Sequence, residues 1–163
     1  SDMTLIATEF KFESFKQFHS DFGFYSEDNI VVIRKIEYNS WTNSIIGFTI
    51  PIIDGIPSKQ FYKADKFDDL RSIYDSNEMA PLLNVHMFRS ISTEDAATKL
   101  PKPHLLSAYG INNQFTTLDI LRRWIYMFEH WLDQGIRVIN LSKGKFYILF
   151  AAAECFSVVH RRG

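Results

Sequence analysis

The sequence predicts an α/β fold, a mixed α+β sheet covered by one long helix, and three features carry that reading. Two β-rich runs, Asn29 to Tyr38 (NIVVIRKIEY) and Ser44 to Ile53 (SIIGFTIPII), are joined by the polar stretch NSWTN and read as an antiparallel hairpin. Thr117 to Gly135 (TLDILRRWIYMFEHWLDQG) has the periodicity of an amphipathic helix. Ile136 to Leu141 (IRVINL) follows at once as a strand. A helix leading into a strand after a hairpin signals a mixed sheet with a crossover.

The chain of 163 residues is long enough for one domain with a proper core and too short for two comfortable ones. Apolar residues make up 46% of it, a globular composition rather than a disordered one. With 18 basic and 19 acidic side chains the net charge is -1, so nothing global draws the chain to nucleic acid or to an anionic membrane. The single Cys155 rules out an internal disulfide framework and fits a reducing compartment. The sequence shows no uninterrupted apolar run of membrane-spanning length and no signal-peptide order at its start. A soluble, intracellular protein is the expectation, with the nucleus among the compartments open to it. Ser1 in place of Met is expected of a fragment, a processed form or a recombinant product.

Taken in order, Thr8 to Phe24 carries six phenylalanines without one clean period and receives no assignment. After the hairpin, Asp54-Gly55 punctuates its exit. Residues 65 to 79 (DKFDDLRSIYDSNEM) place Phe67, Leu70, Ile73 and Tyr74 at helical spacing, which predicts a short surface helix. Leu83 to Ile91 (LNVHMFRSI) reads as a strand buried on both sides. Ser92 to Pro103 is polar with two prolines and reads as a loop; Leu105 to Tyr109 is a further strand or an extended segment. On the long helix, leucines 118, 121 and 132, Ile120, Ile125, Phe128, Trp124, Met127 and Trp131 fill one arc of roughly 160°. Every other side chain from Asp119 to Asp133, Arg122 and Arg123 included, falls on the polar side. Thr116 with Asp119 forms a capping box, and Gly135 is placed for the C-terminal cap.

The segments SEDNIVVIRKIEYNSWTNSIIGFTIPIIDGIP (Ser26 to Pro57), NVHMFRSI, and AYGINNQFTTLDILRRWIYMFEHWLDQGIRVINLS (Ala108 to Ser142) resemble the RNase H-like core of transposon-derived animal proteins of the DDE transposase kind. The resemblance implies an antiparallel three-strand start, a crossover helix and a fourth strand parallel to the first. Strands 30–38, 44–52 and 83–91, helix 117–134 and strand 136–141 take those places, with helix 67–78 as an insertion. It divides the chain into an unassigned segment 1–25, a partial RNase H-like core 26–142 and a divergent tail 143–163.

Catalysis in that family is metal-assisted phosphodiester chemistry, in which two Mg²⁺ ions roughly 3.5–4 Å apart need carboxylates converging from separate elements. By resemblance the first carboxylate is Asp28, with Glu27 beside it and Glu37 more distant; a solvated Asp28 ahead of a strand is the plain alternative. The second carboxylate belongs after the fourth strand, where the family continues with Asp-Gly-Asp. Here Leu141-Ser142 is followed by Lys143-Gly144-Lys145, and a lysine cannot ligate Mg²⁺. The remaining FYILFAAAECFSVVHRRG offers only Glu154. The abrupt end of the resemblance fits a departure from the ancestral reading frame after Ser142, or an intact degenerate domain whose tail adds a closing strand or helix.

Other chemistry finds little support. The five histidines are scattered, with no helical metal-site spacing, and with one cysteine no zinc site is expected. Cys155 sits in an apolar run, where a thiol is inert. No phosphate-cradling glycine loop occurs. Arg122 and Arg123 are candidates for phosphate contact, against the plain reading of a solvated helix face. Three functions remain open: a transposase-derived core unable to carry out phosphodiester transfer, a non-catalytic module binding nucleic acid or protein, and a fragment with no function of its own. DNA and self-association are the partner classes considered; no membrane, no small-molecule cofactor and no bound metal are expected, Mg²⁺ belonging only to an intact family member.

Overall fold

The computed structural model describes residues 22–91, 103–143 and 146–149. Most of the aromatic run at 8–24, the loop at 92–102 and the histidines, Glu154 and Cys155 of the two chain ends lie outside the described residues.

The main sheet begins with β1 (Phe22–Val31), which pairs along its whole length with β6 (Leu82–Ile91), antiparallel, from Phe22 opposite Ile91 to Val31 opposite Leu82. β6 pairs in turn with antiparallel β7 (His104–Ile111). On the other flank of β1 lies β8 (Arg137–Lys143), parallel to it, and β9 (Phe146–Leu149) folds back on β8 as a hairpin. The strand order is β7-β6-β1-β8-β9. Between β7 and β8 the chain crosses one face of the sheet as α2 (Thr117–Asp133). No helix among the described residues is long and apolar enough to cross a membrane.

Residues 32–81 form an insertion between β1 and β6. It contains a small hairpin, β2 (Glu37–Asn39) with β3 (Ser44–Ile46), a tighter one, β4 (Ile52–Ile53) with β5 (Ile56–Pro57), and α1 (Phe67–Ser76). The insertion protects the outer edge of the sheet, because the Ile50 amide donates to the Gly110 carbonyl of β7 at 2.9 Å. α1 is the expected surface helix, and none of its residues is buried.

The expected strand assignment is corrected in two places. The three antiparallel strands are β1, β6 and β7; of the expected 30–38, 44–52 and 83–91 only the last is among them, as β6, and the expected segment at 105–109 is part of β7. The β-branched run after Val31 leaves the sheet, with Val31 and Ile33 largely solvent-exposed, and of the expected hairpin Glu37–Asn39 and Ser44–Ile46 alone pair with each other, outside the main sheet. Neighbours decide whether such residues form a strand, and these have no sheet to pack on. The 83–91 strand is not buried on both sides either. Asn84, His86 and Phe88 are buried beneath α2, while Leu83, Val85 and Met87 on the opposite face are half-covered.

α2 starts as its sequence requires: Thr116 Oγ1 accepts from the Asp119 amide at 3.2 Å, and Asp119 Oδ2 accepts from the Thr116 amide at 2.7 Å. These bonds hold the Asp119 carboxyl below its usual pKa, so the contribution they make is present above the ordinary aspartate range and fades as pH falls through it. Gly135 takes φ +75 just past the helix. The buried face is narrower than the expected arc. Trp124, Met127, Phe128 and Trp131 form the core with Tyr25, Phe88, Leu106 and Ile136, whereas Leu118, Leu121, Ile125 and Leu132 are about half exposed.

Candidate functional site

Alternation along β1 sends successive side chains to opposite faces, so Tyr25 and Glu27 point under α2 and Asp28 points away. Asp28, the expected first carboxylate, is exposed, and its Oδ1 accepts from the adjacent Asn29 amide at 2.8 Å. Glu37 lies on the insertion, exposed and paired with Lys35. The carboxylate inside the fold is Glu27, 1% exposed.

Four N–H groups converge on Glu27. Arg123 grips it in a fork, Nη2 to Oε1 at 2.6 Å and Nε to Oε2 at 3.3 Å. Trp124 Nε1 donates to Oε2 and Asn84 Nδ2 to Oε1, each at 3.0 Å. The expected phosphate-contacting pair on α2 is therefore divided. Arg123, assigned to the polar face, is enclosed at 1% exposure because its partner lies beneath the helix; Arg122 stays outside and donates to Asp54 at 2.6 Å. Loss of water would by itself lower the Arg123 pKa, but the electrostatic influence of Tyr109 and Glu27 outweighs it and the net direction is upward. The guanidinium remains a cation.

The insertion completes the cage. Asp54 and Gly55 form the β4–β5 turn, both at positive φ, as an Asp-Gly hairpin turn favours. Arg123 Nη1 donates to the Gly55 carbonyl at 2.8 Å. A Cβ at residue 55 would stand 2.1 Å from the Asp119 carbonyl oxygen, so only glycine lets the turn sit this close to α2.

A chain of rings extends the network across β6 and β7. Asn84 Nδ2 also donates to the Tyr109 hydroxyl at 3.2 Å, which meets His86 Nε2 at 2.9 Å; His86 Nδ1 meets the Tyr25 hydroxyl. Tyr25 is also hydrogen-bonded to Glu27, closing the circuit. With Tyr25 donating to that carboxylate, a neutral His86 protonated on Nδ1 lets every hydroxyl both donate and accept. Burial, reinforced by Glu27, raises the pKa of Tyr25 well above normal, and burial raises that of Tyr109. An unfolded tyrosine ionises near about pH 10. Stability from these two phenols is therefore present below that pH and lost as pH rises above it. In a titration followed by tyrosinate absorbance, Tyr25 and Tyr109 are expected to ionise only with cooperative unfolding. Tyr25→Phe and Tyr109→Phe should each remove one equivalent from that late phase; ionisation of all seven tyrosines before unfolding would contradict the network.

Such an arrangement orients and neutralises; it does not present a reactive group. Both Glu27 oxygens are filled by donors. The Cα partner of Glu27 on parallel β8 is Lys143, with Ser26 opposite Ser142. Among the described residues no group of three His, Cys, Asp or Glu side chains is placed to hold a metal ion. A Mg²⁺ pair does not fit these residues, since the one inward carboxylate is already held by a guanidinium and the other first-strand acid faces the opposite side of the sheet. Sequence reasoning named Glu27 and Arg123 but missed their pairing, and missed Asn84, His86, Tyr25 and Tyr109. The available signal was Asn84-x-His86 on one face of a strand opposite an Arg-Trp step of the helix.

Compared with protein-family models, curated proteins and solved structures, the chain matches none.

Proposed function

We propose that the chain carries an RNase H-like domain of transposon origin that has lost phosphodiester-transfer chemistry and retains the fold as a non-catalytic module. The observation that carries this reading is the pairing of β1 with parallel β8, which sets Glu27 beside Lys143 at the strand end where the family keeps its second carboxylate. Support also comes from the strand order, in which three antiparallel strands are followed by a crossover helix and a strand parallel to the first. Arg123 adds a chemical reason: a carboxylate that balances a buried guanidinium cannot give up that partner to a metal without leaving an uncompensated charge inside.

The test is a nuclease and strand-joining assay on duplex DNA with Mg²⁺ or Mn²⁺. No cleavage or joining above a metal-free control is expected. Metal-dependent activity abolished by Asp28→Asn or by Glu27→Gln, with the fold intact, would overturn the reading.

A further inference from the structure

Leu118, Leu121, Ile125 and Leu132 are between 46 and 54% exposed, an unusual density of half-bare aliphatic side chains for one helix. Their 3-4-7 spacing, with Phe128 in the remaining heptad place but turned into the core, lines them along one flank of α2. At 100° per residue the four fall within about 60° of one another. Arg122 and Glu129 border the stripe on its outer rim.

We propose that this flank docks antiparallel on the same flank of a second copy, about a two-fold axis beside Ile125. The pattern is self-complementary in the way an isologous contact requires. Leu118 lies seven residues before Ile125 and Leu132 seven after it, so an antiparallel pair sets Leu118 of each copy against Leu132 of the other. The rim charges select the orientation. Arg122 lies three residues before the axis and Glu129 four after it, so in the antiparallel pair each Arg122 faces a Glu129 of the other copy, twice over. A parallel pair would put the two charged rims on opposite sides of the contact, so that neither Arg122 nor Glu129 meets an opposite charge on the other copy. The contact between Arg122 and Asp54 does not compete strongly, because both groups are well exposed and such surface pairs contribute little. One helix flank is a small interface, so the dimer belongs to the weak class, with a dissociation constant on the order of 1–100 µM.

Sedimentation of the full chain over a concentration series tests this. The average mass is expected to rise from 19.0 kDa toward twice that value. Ile125→Glu brings two carboxylates together at the axis and should abolish association, and because Ile125 is half exposed the helical circular-dichroism signal should persist. Glu129→Arg alone should weaken the dimer about tenfold, and adding Arg122→Glu should restore most of that loss by swapping the charges. A wild-type chain monomeric to roughly 100 µM would overturn the proposal, as would association unchanged by Ile125→Glu. A double variant no tighter than the single one would overturn the antiparallel arrangement.

Discussion

Arg123→Ala is expected to destabilise the chain by about 3–5 kcal/mol, the range for removing one partner of a buried ion pair. The loss exceeds that of an exposed arginine because of what stays behind. Glu27 would retain the Trp124, Asn84 and Tyr25 donors but lose the cation and both bonds of the guanidinium fork, at a carboxylate that is 1% exposed. The Gly55 carbonyl would lose its donor as well, loosening the turn by which the insertion is fastened to α2. Arg122→Ala, one residue away, removes a solvent-exposed contact and should cost no more than about 1 kcal/mol. The informative variant is the double replacement Glu27→Leu with Arg123→Met. Exchanging both charges for apolar groups of similar size removes the uncompensated charge and should recover part of the loss, the remainder reflecting the Trp124, Asn84 and Tyr25 donors that lose their acceptor. Urea unfolding of the four proteins measures this, and equal midpoints for Arg123→Ala and Arg122→Ala would show that the buried pair contributes nothing.

Trp131→Ala is expected to cost about 3–5 kcal/mol as well, through a cavity rather than a charge. The indole is fully buried, edge-on to Tyr25 with centroids 5.0 Å apart and tilted against Phe88 at 5.2 Å. It joins α2 to both central strands, so no single neighbour can move to fill the space. Tyr25 also belongs to the hydrogen-bonded circuit, and its ring would lose one wall. Trp131→Phe, which keeps an aromatic body, should lose roughly half as much or less. Thermal melts of the two variants distinguish this from a loose core, in which both would melt alike.

The legible parts of this fold are those in which local chemistry and tertiary packing agree. α2 carries its own start signal in Thr116 and Asp119, a periodic core face and a glycine at its exit, and β8 follows as a short β-branched run. β1 was misplaced because its inward face is Gly23, Tyr25 and Glu27, a set with no apolar alternation, while the neighbouring Ile30 to Ile36 has the composition of a strand without the partners. The apolar arc of α2 was too wide for a related reason. Hydropathy places Arg123 outside and Leu118, Ile125 and Leu132 inside, yet a carboxylate beneath the helix draws the arginine in, and no described element lies over the leucines. A buried arginine and a solvated one have the same letter, and only the position of Glu27 separates them. The candidate site was legible to the same extent: two of its residues lay in quoted motifs, but their pairing joins residues 27 and 123, far apart in the chain.

Arg123 closes Glu27 to metal, and a chain with transferase chemistry would need that carboxylate open. The most direct measurement is the indole N–H resonance of Trp124, which donates to the same carboxylate, recorded while Mn²⁺ is added. A paramagnetic ion bound at Glu27 would broaden that resonance beyond detection at low metal concentration. The expected result is a Trp124 signal that persists through millimolar Mn²⁺ no more affected than the other indoles; selective, saturable loss of that signal would show Glu27 open to metal and contradict its closure by Arg123.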